Sequence, residues 1–300
     1  MEEVRKSNYD SWIDINRTFI EGELGKIIDD LMPGNSVVEQ GVKYSVLNGG
    51  KRVRPILCIE IFKACKIFNK KLDKVLPVAC AIELTHVNSL IQDDLPCMDN
   101  DDLRRGKPSS HIKYGEAKAL LASDLLLTES FKIIAESETD DKTKVEIIKL
   151  VSDCAGGKGM IAGQALDLDS ESKKPSEEIL RKIDFLKTAK LIEASVVSGL
   201  IFAGANENKI SAGKEYSKCL GIAFQLTDDV LDIKGDEKLL GKKTGSDDLN
   251  DKATYVKIFG LDETEKKAKE QVFRAISAIE KYPNTEILIK IAESVVNRIN

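Results

Sequence analysis

Apolar residues recur along most of the chain at the three- and four-residue spacing of an amphipathic helix. The first such segment, residues 8–31, carries apolar side chains at Trp12, Ile15, Phe19, Leu24, Ile27, Ile28 and Leu31. A Pro-Gly pair at residues 33–34 ends this segment. Similar patterns predict helices at residues 36–48, 56–68, 77–91, 115–136, 143–163, 187–204 and 214–233, with amphipathic helices over the last fifty residues.

The proline and glycine positions, and the lack of strand patterns, indicate a single helical unit. We find no alternation typical of a half-buried strand, no repeat and no interdomain linker. Pro77 should occupy the first position of its helix, where a missing N–H group is tolerated. Glycines at positions 156, 157 and 159 indicate close packing of the helix predicted over 143–163. We therefore expect one all-α domain spanning residues 1–300.

The composition favours a folded, helical and cytosolic protein. The 300 residues are 42% hydrophobic, 32% charged and 5% aromatic, which permits a substantial core and favours helix over strand. A net charge of -5 gives no signature of nucleic-acid binding. The six cysteines are scattered without a C-x-x-C pair, so we expect reduced thiols and a cytoplasmic location. The N-terminus lacks an apolar signal region, and we expect no membrane span.

Two acidic clusters follow apolar helical runs. The first contains Asp93, Asp94, Asp99, Asp101 and Asp102 and is followed by Arg104 and Arg105, and the second contains Asp228, Asp229 and Asp232. A solvated acidic loop would have a composition similar to that of either cluster alone. Because both clusters lie at the ends of helices that should be buried, we expect them to share hard cations. Mg²⁺ bridged to substrate phosphates suits oxygen-only sites of this kind.

The spacing within each cluster decides which carboxylates can meet. Asp93 and Asp99 are six residues apart, which an unbroken helix would place on different faces. Pro96 should break the helix, so that the bulge can return Asp99 to the side of Asp93. Asp228 and Asp232 are four residues apart and share a helix face.

A cationic turn precedes the helix predicted from residue 56. Residues 49–55 read Gly-Gly-Lys-Arg-Val-Arg-Pro, so two glycines and three cations converge on a helix start. Backbone N–H groups, the positive helix end and these side chains could bind an anion, although a charged turn between helices would look the same. Residues 241–244 resemble a phosphate-binding loop, but Lys243 stands where a Ser or Thr should follow the lysine. No strand is predicted before them, as such a loop requires.

Taken in order, these motifs are similar to those of the trans-isoprenyl diphosphate synthases, specifically the short-chain farnesyl and geranylgeranyl diphosphate synthases. The likeness runs from Gly49 to about Gly260. The matching stretches are residues 49–55 (isopentenyl diphosphate motif), 93–99 (first Asp-rich motif, longer form), 228–232 (second Asp-rich motif), 163–169, 187–189 and 241–247. Gln92 replaces the His usual before the first Asp-rich motif, and Val256 replaces the Pro usual after Thr-Tyr. Neither change removes a group that the chemistry needs.

The resemblance implies antiparallel helices around a central cavity, a homodimer, and three Mg²⁺ ions in each active site. The implied reaction condenses isopentenyl diphosphate with an allylic diphosphate (dimethylallyl, geranyl or farnesyl) to a C15–C20 all-trans prenyl diphosphate. The metal ligands would be Asp93, Asp94, Asp99, Asp228, Asp229 and Asp232. The catalytic residues would be Asp93, Asp99, Arg104, Lys187, Asp228 and Lys242. The substrate-binding residues would be Gly50, Lys51, Arg54, His86, Arg104, Arg105, Lys187, Thr188, Gln225 and Lys242.

Two other classes share part of this pattern. A terpene cyclase has the all-α fold and one Asp-rich motif, but it needs no second diphosphate site, which Lys51, Arg54 and Arg105 supply here. A non-catalytic subunit of a prenyl synthase heteromer usually lacks one Asp-rich motif, and this chain keeps both.

Product length depends on what blocks the tunnel along the helix that ends at Asp93. Asn88 and Ser89 precede Asp93 by five and four residues, where an aromatic side chain could stop chain growth, and neither is aromatic. We therefore expect a C20 product in preference to C15.

Overall fold

The computed structural model describes residues 8–65, 71–170, 176–235 and 254–299. Up to residue 155, the helices are α1 (Asn8–Leu31), α2 (Val37–Leu47), α3 (Val53–Cys65), α4 (Leu72–Asp93), α5 (Ser110–Tyr114), α6 (Glu116–Glu136) and α7 (Asp141–Ala155). A short antiparallel hairpin pairs β1 (Leu103–Arg104) with β2 (Lys107–Pro108). There follow α8 (Met160–Ser170), α9 (Glu177–Asp184), a π-helical turn (Phe185–Ala189), α10 (Lys190–Ala203), α11 (Glu207–Lys234), α12 (Tyr255–Phe259), α13 (Leu261–Ile279) and α14 (Glu286–Val296).

The expected all-α class is confirmed, and local sequence signals explain where several helices begin and end. Ser36 and Glu39 form a capping box at the start of α2. Gly204 and Gly235 end α10 and α11 in the left-handed conformation, with φ of 76° and 77°. That residues 1–300 form a single domain stays a prediction.

The expected position of Pro77 is wrong. α4 begins at Leu72, so Pro77 lies inside the helix and removes one backbone hydrogen bond. The residues around it, Val75, Leu76 and Val78, are buried in the core. Burial of this apolar segment outweighs the missing bond, and the helix continues through the proline.

The single helix expected over residues 143–163 is also wrong, because two helices occupy this region. α7 ends at Ala155 and α8 begins at Met160. The turn between them brings Gly159 so close to Cys154 that a Cβ on Gly159 would lie 1.9 Å from the Cys154 carbonyl oxygen. The glycines therefore mark a tight reversal of the chain.

Helices α3, α4 and α10 form the centre of the fold. Nearly all of α10 is buried, and it packs against α3, α4, α7 and α11. Gly199 permits its close approach to α3, because a Cβ there would lie 2.4 Å from the carbonyl oxygen of Cys58. α4 packs against α3 and α6 and carries Asp93 as its last residue. The first Asp cluster therefore begins at the end of a rigid core helix.

Helix α4 also has the length and composition of a helix that could cross a membrane. Within its most apolar 18-residue window, 72% is buried inside the protein. Core helices of soluble proteins meet the same criterion, so this feature is weak evidence for a span.

Candidate active site

A cavity of about 1850 Å³ opens between the ends of the central helices. The sequence-predicted residues that line it are Gly50, Lys51, Arg54, His86, Asp93, Asp99, Arg104, Arg105, Lys187, Thr188, Gln225 and Asp228. Its apolar side is supplied by Met160, Ile161, Leu168, Ile192 and Phe224. The structure therefore brings together residues from segments that lie far apart in the sequence. Lys242 lies outside the described residues.

The loop after α4 returns Asp99 to Asp93, as its sequence predicts. The Asp99 N–H group donates a hydrogen bond of 2.9 Å to the carbonyl oxygen of Asp93. Burial raises the pKa of the Asp93 carboxyl group to about 6; Lys187 opposes this shift, and the charge of Asp99 adds to it. The backbone bond keeps the two residues together, and both line the cavity. Two carboxylates in one cavity, one of them desolvated, favour a bound cation.

The second aspartate of this cluster has a different environment. Asp94 is buried, with a relative exposure of 2%, and it is not among the described residues that line the large cavity. The Arg104 Nε group donates to its Oδ1 atom at 2.9 Å, and the Arg104 Nη2 group donates to the same oxygen. Burial alone would lower the pKa of Arg104, but its bond to Asp94 raises it. Asp94 thus orients Arg104 towards the cavity.

The second acidic cluster divides in a similar way. Asp228 lines the cavity and pairs with Arg298, whose Nη1 atom lies 2.9 Å from Asp228 Oδ1. Asp229 accepts a hydrogen bond of 2.7 Å from the backbone N–H of Tyr255, which begins α12. Asp232 is 4% exposed. Of these three carboxylates, Asp228 is the one that lines the described cavity.

A cationic wall faces these carboxylates. Burial lowers the pKa of Arg54 to about 10, and the Arg54 Nε group, although buried, has no hydrogen-bond partner among the described residues. Burial also lowers the pKa of Lys51, and nearby Arg298 lowers it further. His86 is kept neutral near pH 7, because burial and then the charge of Arg54 hold its pKa well below the ordinary value. Glu83 is the acidic neighbour of Arg54 and Asp228 that of Lys51. Cations gathered in one cavity around a buried Nε group without a partner favour a bound anion.

The glycine turn before α3 positions another cation. Gly50 has φ of 128°, which favours glycine, and a Cβ there would lie 2.6 Å from the Arg105 guanidinium carbon. Arg105 donates a hydrogen bond to the carbonyl oxygen of Gly49. Arg52 differs from its neighbours, because it is fully buried and ion-paired at 2.8 Å with Glu83. Its role is to hold the turn.

The π-helical turn presents Lys187 and Thr188 to the cavity. Lys187 Nζ donates at 2.7 Å to Asp167 Oδ2 on α8. Burial alone would lower the pKa of Lys187, but Asp167 raises it, followed by Asp93 and then Asp99. Two glycines allow neighbouring helices to pack closely against this turn. A Cβ at Gly163 would lie 2.3 Å from the Lys187 backbone nitrogen, and a Cβ at Gly221 would lie 2.4 Å from the Ala189 Cβ.

The sequence did not identify every cavity residue. Arg17 on α1 and Arg298 near the C-terminus both line the cavity. Both lie in segments that read as ordinary amphipathic helices, and no local signal marks them. Gln164 also lines the cavity, and the sequence indicates it only as part of the family-like stretch 163–169.

The donor set fits Mg²⁺ if the substrate completes the coordination. Asp93, Asp99 and Asp228 supply carboxylate oxygens to one cavity, which is the ligand type that Mg²⁺ prefers. Among the residues that the structure describes, no three His, Cys, Asp or Glu side chains converge closely enough to hold a metal ion by themselves. Bridging by substrate phosphates would supply the missing oxygens.

The sequence model of the family described as polyprenyl synthetase matches residues 35–293. The chain belongs to the polyprenyl synthetase family. It is 42% identical over 247 residues to a farnesyl diphosphate synthase of Bacillus subtilis, covering 81% of this chain and 82% of that protein. It is 41% identical over 289 residues to a geranylgeranyl diphosphate synthase of Cyanophora paradoxa, covering 95% of this chain and 94% of that protein.

Solved structures of similar proteins share the fold. A geranyltransferase from Legionella pneumophila matches with a TM-score of 0.86 and 30% identity, covering 97% of each chain. A synthase from Zymomonas mobilis, described as FPP/GFPP, matches with a TM-score of 0.83 and 30% identity, covering 95% of this chain and 98% of that one. The family inferred from the sequence motifs is therefore confirmed.

Proposed function

We propose that this polyprenyl synthetase joins isopentenyl diphosphate to an allylic diphosphate and releases diphosphate. The observation that carries this proposal is the charge arrangement of one cavity. Carboxylates of Asp93, Asp99 and Asp228 lie in the same cavity as Arg54, whose buried Nε group has no hydrogen-bond partner among the described residues. Such a cavity offers one diphosphate site of the metal-bridged kind and a second made of cations alone.

The apolar surface between the charged regions suits an isoprenoid tail. Met160, Ile161 and Leu168 of α8 line the cavity together with Phe224 of α11. Apolar walls exclude water from a reacting carbocation and strengthen the charge interactions within the cavity.

Two groups of cations in the cavity would bind the two diphosphates. Arg104 and Lys187, each oriented by a carboxylate partner, would hold the allylic diphosphate and stabilise the charge that develops as its C–O bond breaks. Lys51, Arg54 and Arg105 would hold isopentenyl diphosphate, with its double bond facing the allylic cation. A new C–C bond forms, and the proton lost from the adjoining carbon passes to the departing diphosphate. No covalent enzyme intermediate is required.

Asp93, Asp99 and Asp228 would hold Mg²⁺, with three ions proposed for each site. When bound, Mg²⁺ would supply positive charge that makes diphosphate a better leaving group. Asp94 and Asp229 would support the site indirectly, because Asp94 orients Arg104 and Asp229 accepts a hydrogen bond at the start of α12. Asp232 is buried and is not among the described residues that line the cavity.

Product length, assembly and location are further parts of the proposal. The relatives include both farnesyl and geranylgeranyl diphosphate synthases. We retain C20 over C15 because Ser89, which lines the cavity, is not aromatic. A homodimer is supported by exposed apolar side chains on α5 and α6, at Ile112, Leu120 and Leu121. A cytoplasmic location is supported by six free cysteines, five of them buried.

A diphosphate-release assay tests the reaction. The purified protein is given isopentenyl diphosphate, dimethylallyl diphosphate or both, with Mg²⁺. Release that requires both substrates is expected. Release from the allylic substrate alone would indicate a terpene cyclase, and no release would indicate a non-catalytic subunit. Mass spectrometry of the product then gives its length.

A further inference from the structure

The C-terminal end of the chain reaches into the cavity and touches the second acidic cluster. Arg298 follows α14, and its Nη1 atom lies 2.9 Å from Asp228 Oδ1. The Arg298 side chain is 15% exposed and that of Asp228 is 41% exposed. Both residues line the large cavity. The pair joins two residues that are 70 positions apart in the sequence.

This contact is built into the fold by further contacts of the chain end. Ile299 packs against Val230 and Leu231 of α11. Lys234, the last residue of α11, donates a hydrogen bond of 2.7 Å to the Ile299 carbonyl oxygen. The C-terminal turn is therefore seated on the same helix that carries Asp228.

Electrostatic repulsion disfavours the binding of Arg298 and a divalent cation to Asp228 at the same time. A guanidinium 2.9 Å from the Asp228 oxygen repels any divalent cation that binds the same carboxylate. Arg298 also lies close enough to Lys51 to lower its pKa. The cavity thus holds an internal cation at one of the carboxylates that the proposed function assigns to Mg²⁺.

We propose that Arg298 and a divalent cation compete for Asp228, so that the C-terminal turn is a latch that closes the metal site of the ligand-free protein. The proposal rests on the proposed function only for the role of Asp228. Metal and diphosphate together release Arg298 from Asp228, and the seat of Ile299 on α11 loosens.

Metal binding without turnover tests the latch. Mn²⁺ binding is measured by electron paramagnetic resonance in the presence of inorganic diphosphate and without an allylic substrate. Arg298→Gln should bind Mn²⁺ roughly two- to fivefold more tightly than the unchanged protein, which is the range for a partly exposed ion pair. Arg274→Gln is the matched control, because its pair with Glu215 at 2.8 Å involves no residue that lines this cavity. It should leave Mn²⁺ affinity unchanged.

Two further measurements separate competition from a general structural effect. In an Asp228→Asn background, Arg298→Gln should give no gain in Mn²⁺ affinity. In the unchanged protein, Mg²⁺ with inorganic diphosphate should speed amide hydrogen exchange at residues 297–299. Equal or weaker Mn²⁺ binding by Arg298→Gln, a gain that persists in the Asp228→Asn background, or slower exchange at the chain end would each overturn the latch.

A second variant keeps the proposal testable if the first variant does not fold. If Arg298→Gln does not fold, Lys234→Gln removes the hydrogen bond to the Ile299 carbonyl group, together with the 2.8 Å ion pair of Lys234 with Glu265, and should also raise Mn²⁺ affinity. An unchanged affinity in that variant would overturn the proposal. None of these readouts uses condensation, so failure of the proposed reaction in the diphosphate-release assay remains a separate result.

Discussion

The Ser123 hydroxyl group on α6 donates a hydrogen bond of 2.6 Å to the side-chain oxygen of Asn88 on α4. Both residues are buried, with exposures of 0% and 2%. Asn88 therefore faces α6, whereas the next residue, Ser89, lines the cavity. Two positions that look equivalent in the sequence have different surroundings, and only one of them faces the space that a growing isoprenoid tail would fill.

Substitution at position 89 should shorten the product. Ser89→Phe places an aromatic ring in the cavity about one helical turn from Asp93, so the product should shift towards C15 or C10 without loss of turnover. Asn88→Tyr is the contrasting variant, because it breaks the bond to Ser123 and overpacks a buried site. It should lower the melting temperature. Product analysis by mass spectrometry and thermal unfolding measure the two effects, and an unchanged product from Ser89→Phe would contradict this assignment.

Substitutions of Asp99 and Asp94 in the first cluster should impair different steps. Asp99→Ala should raise the Mg²⁺ concentration needed for half-maximal activity, because Asp99 supplies a carboxylate to the cavity. Asp94→Ala should instead raise KM for the allylic diphosphate, because Arg104 loses the partner that orients it. Mg²⁺ titrations and substrate titrations of both variants measure this split. Identical profiles would show that Asp94 is a direct metal ligand.

The cationic wall should affect one substrate more than the other. Arg54→Ala should raise KM for isopentenyl diphosphate by at least tenfold, which is the loss expected for a buried hydrogen bond to a charged group, and the allylic KM should change less. Lys63→Ala provides a control on the same helix, since Lys63 is partly exposed and pairs with Glu60. A larger effect of Arg54→Ala on the allylic KM would mean that the two diphosphate sites are reversed.

The π-helical turn should respond to a single methyl group. Gly163→Ala forces the backbone at Lys187 to move, because the new Cβ would lie 2.3 Å from the Lys187 backbone nitrogen. We expect a higher allylic KM and a lower turnover number in this variant. Gly157→Ala adds the same methyl group where no atom lies within 4 Å. Steady-state kinetics of both variants test this prediction. Equal allylic KM values and turnover numbers for Gly163→Ala and Gly157→Ala would contradict it.

Asp184, the last residue of α9, should make the stability depend on pH. Burial raises its pKa to about 7 from an ordinary value of 3.8. Because the folded-state pKa is the higher one, its contribution to stability is fully present below pH 3.8 and is lost as the pH rises through 7. Asp184→Asn should therefore gain stability relative to the unchanged protein as the pH rises, by on the order of 4 kcal/mol across this window. Urea unfolding of both proteins at pH 4 and pH 8 measures this change, and an equal stability difference at both pH values would refute it.

The sequence could predict what depends on near neighbours. Asp99 returns to Asp93 because Pro96 interrupts the helix within the same short stretch, and the helix periods depend on residues three and four apart. The pairing of Asp94 with Arg104 and that of Asp228 with Arg298 could not be predicted, because each depends on how distant or folded-back segments pack. Pro77 was misplaced for a related reason, since burial of α4 overrides the local preference of proline.

The cavity takes its walls from nearly the whole described chain, from Arg17 on α1 to Arg298 after α14. Helices can form early from local contacts, but a site assembled from such distant segments closes only after the last of them docks. During refolding, far-ultraviolet circular dichroism should therefore recover before the ability to bind diphosphate. A fragment that stops before α14 would be largely helical and would still lack one wall of its catalytic chamber.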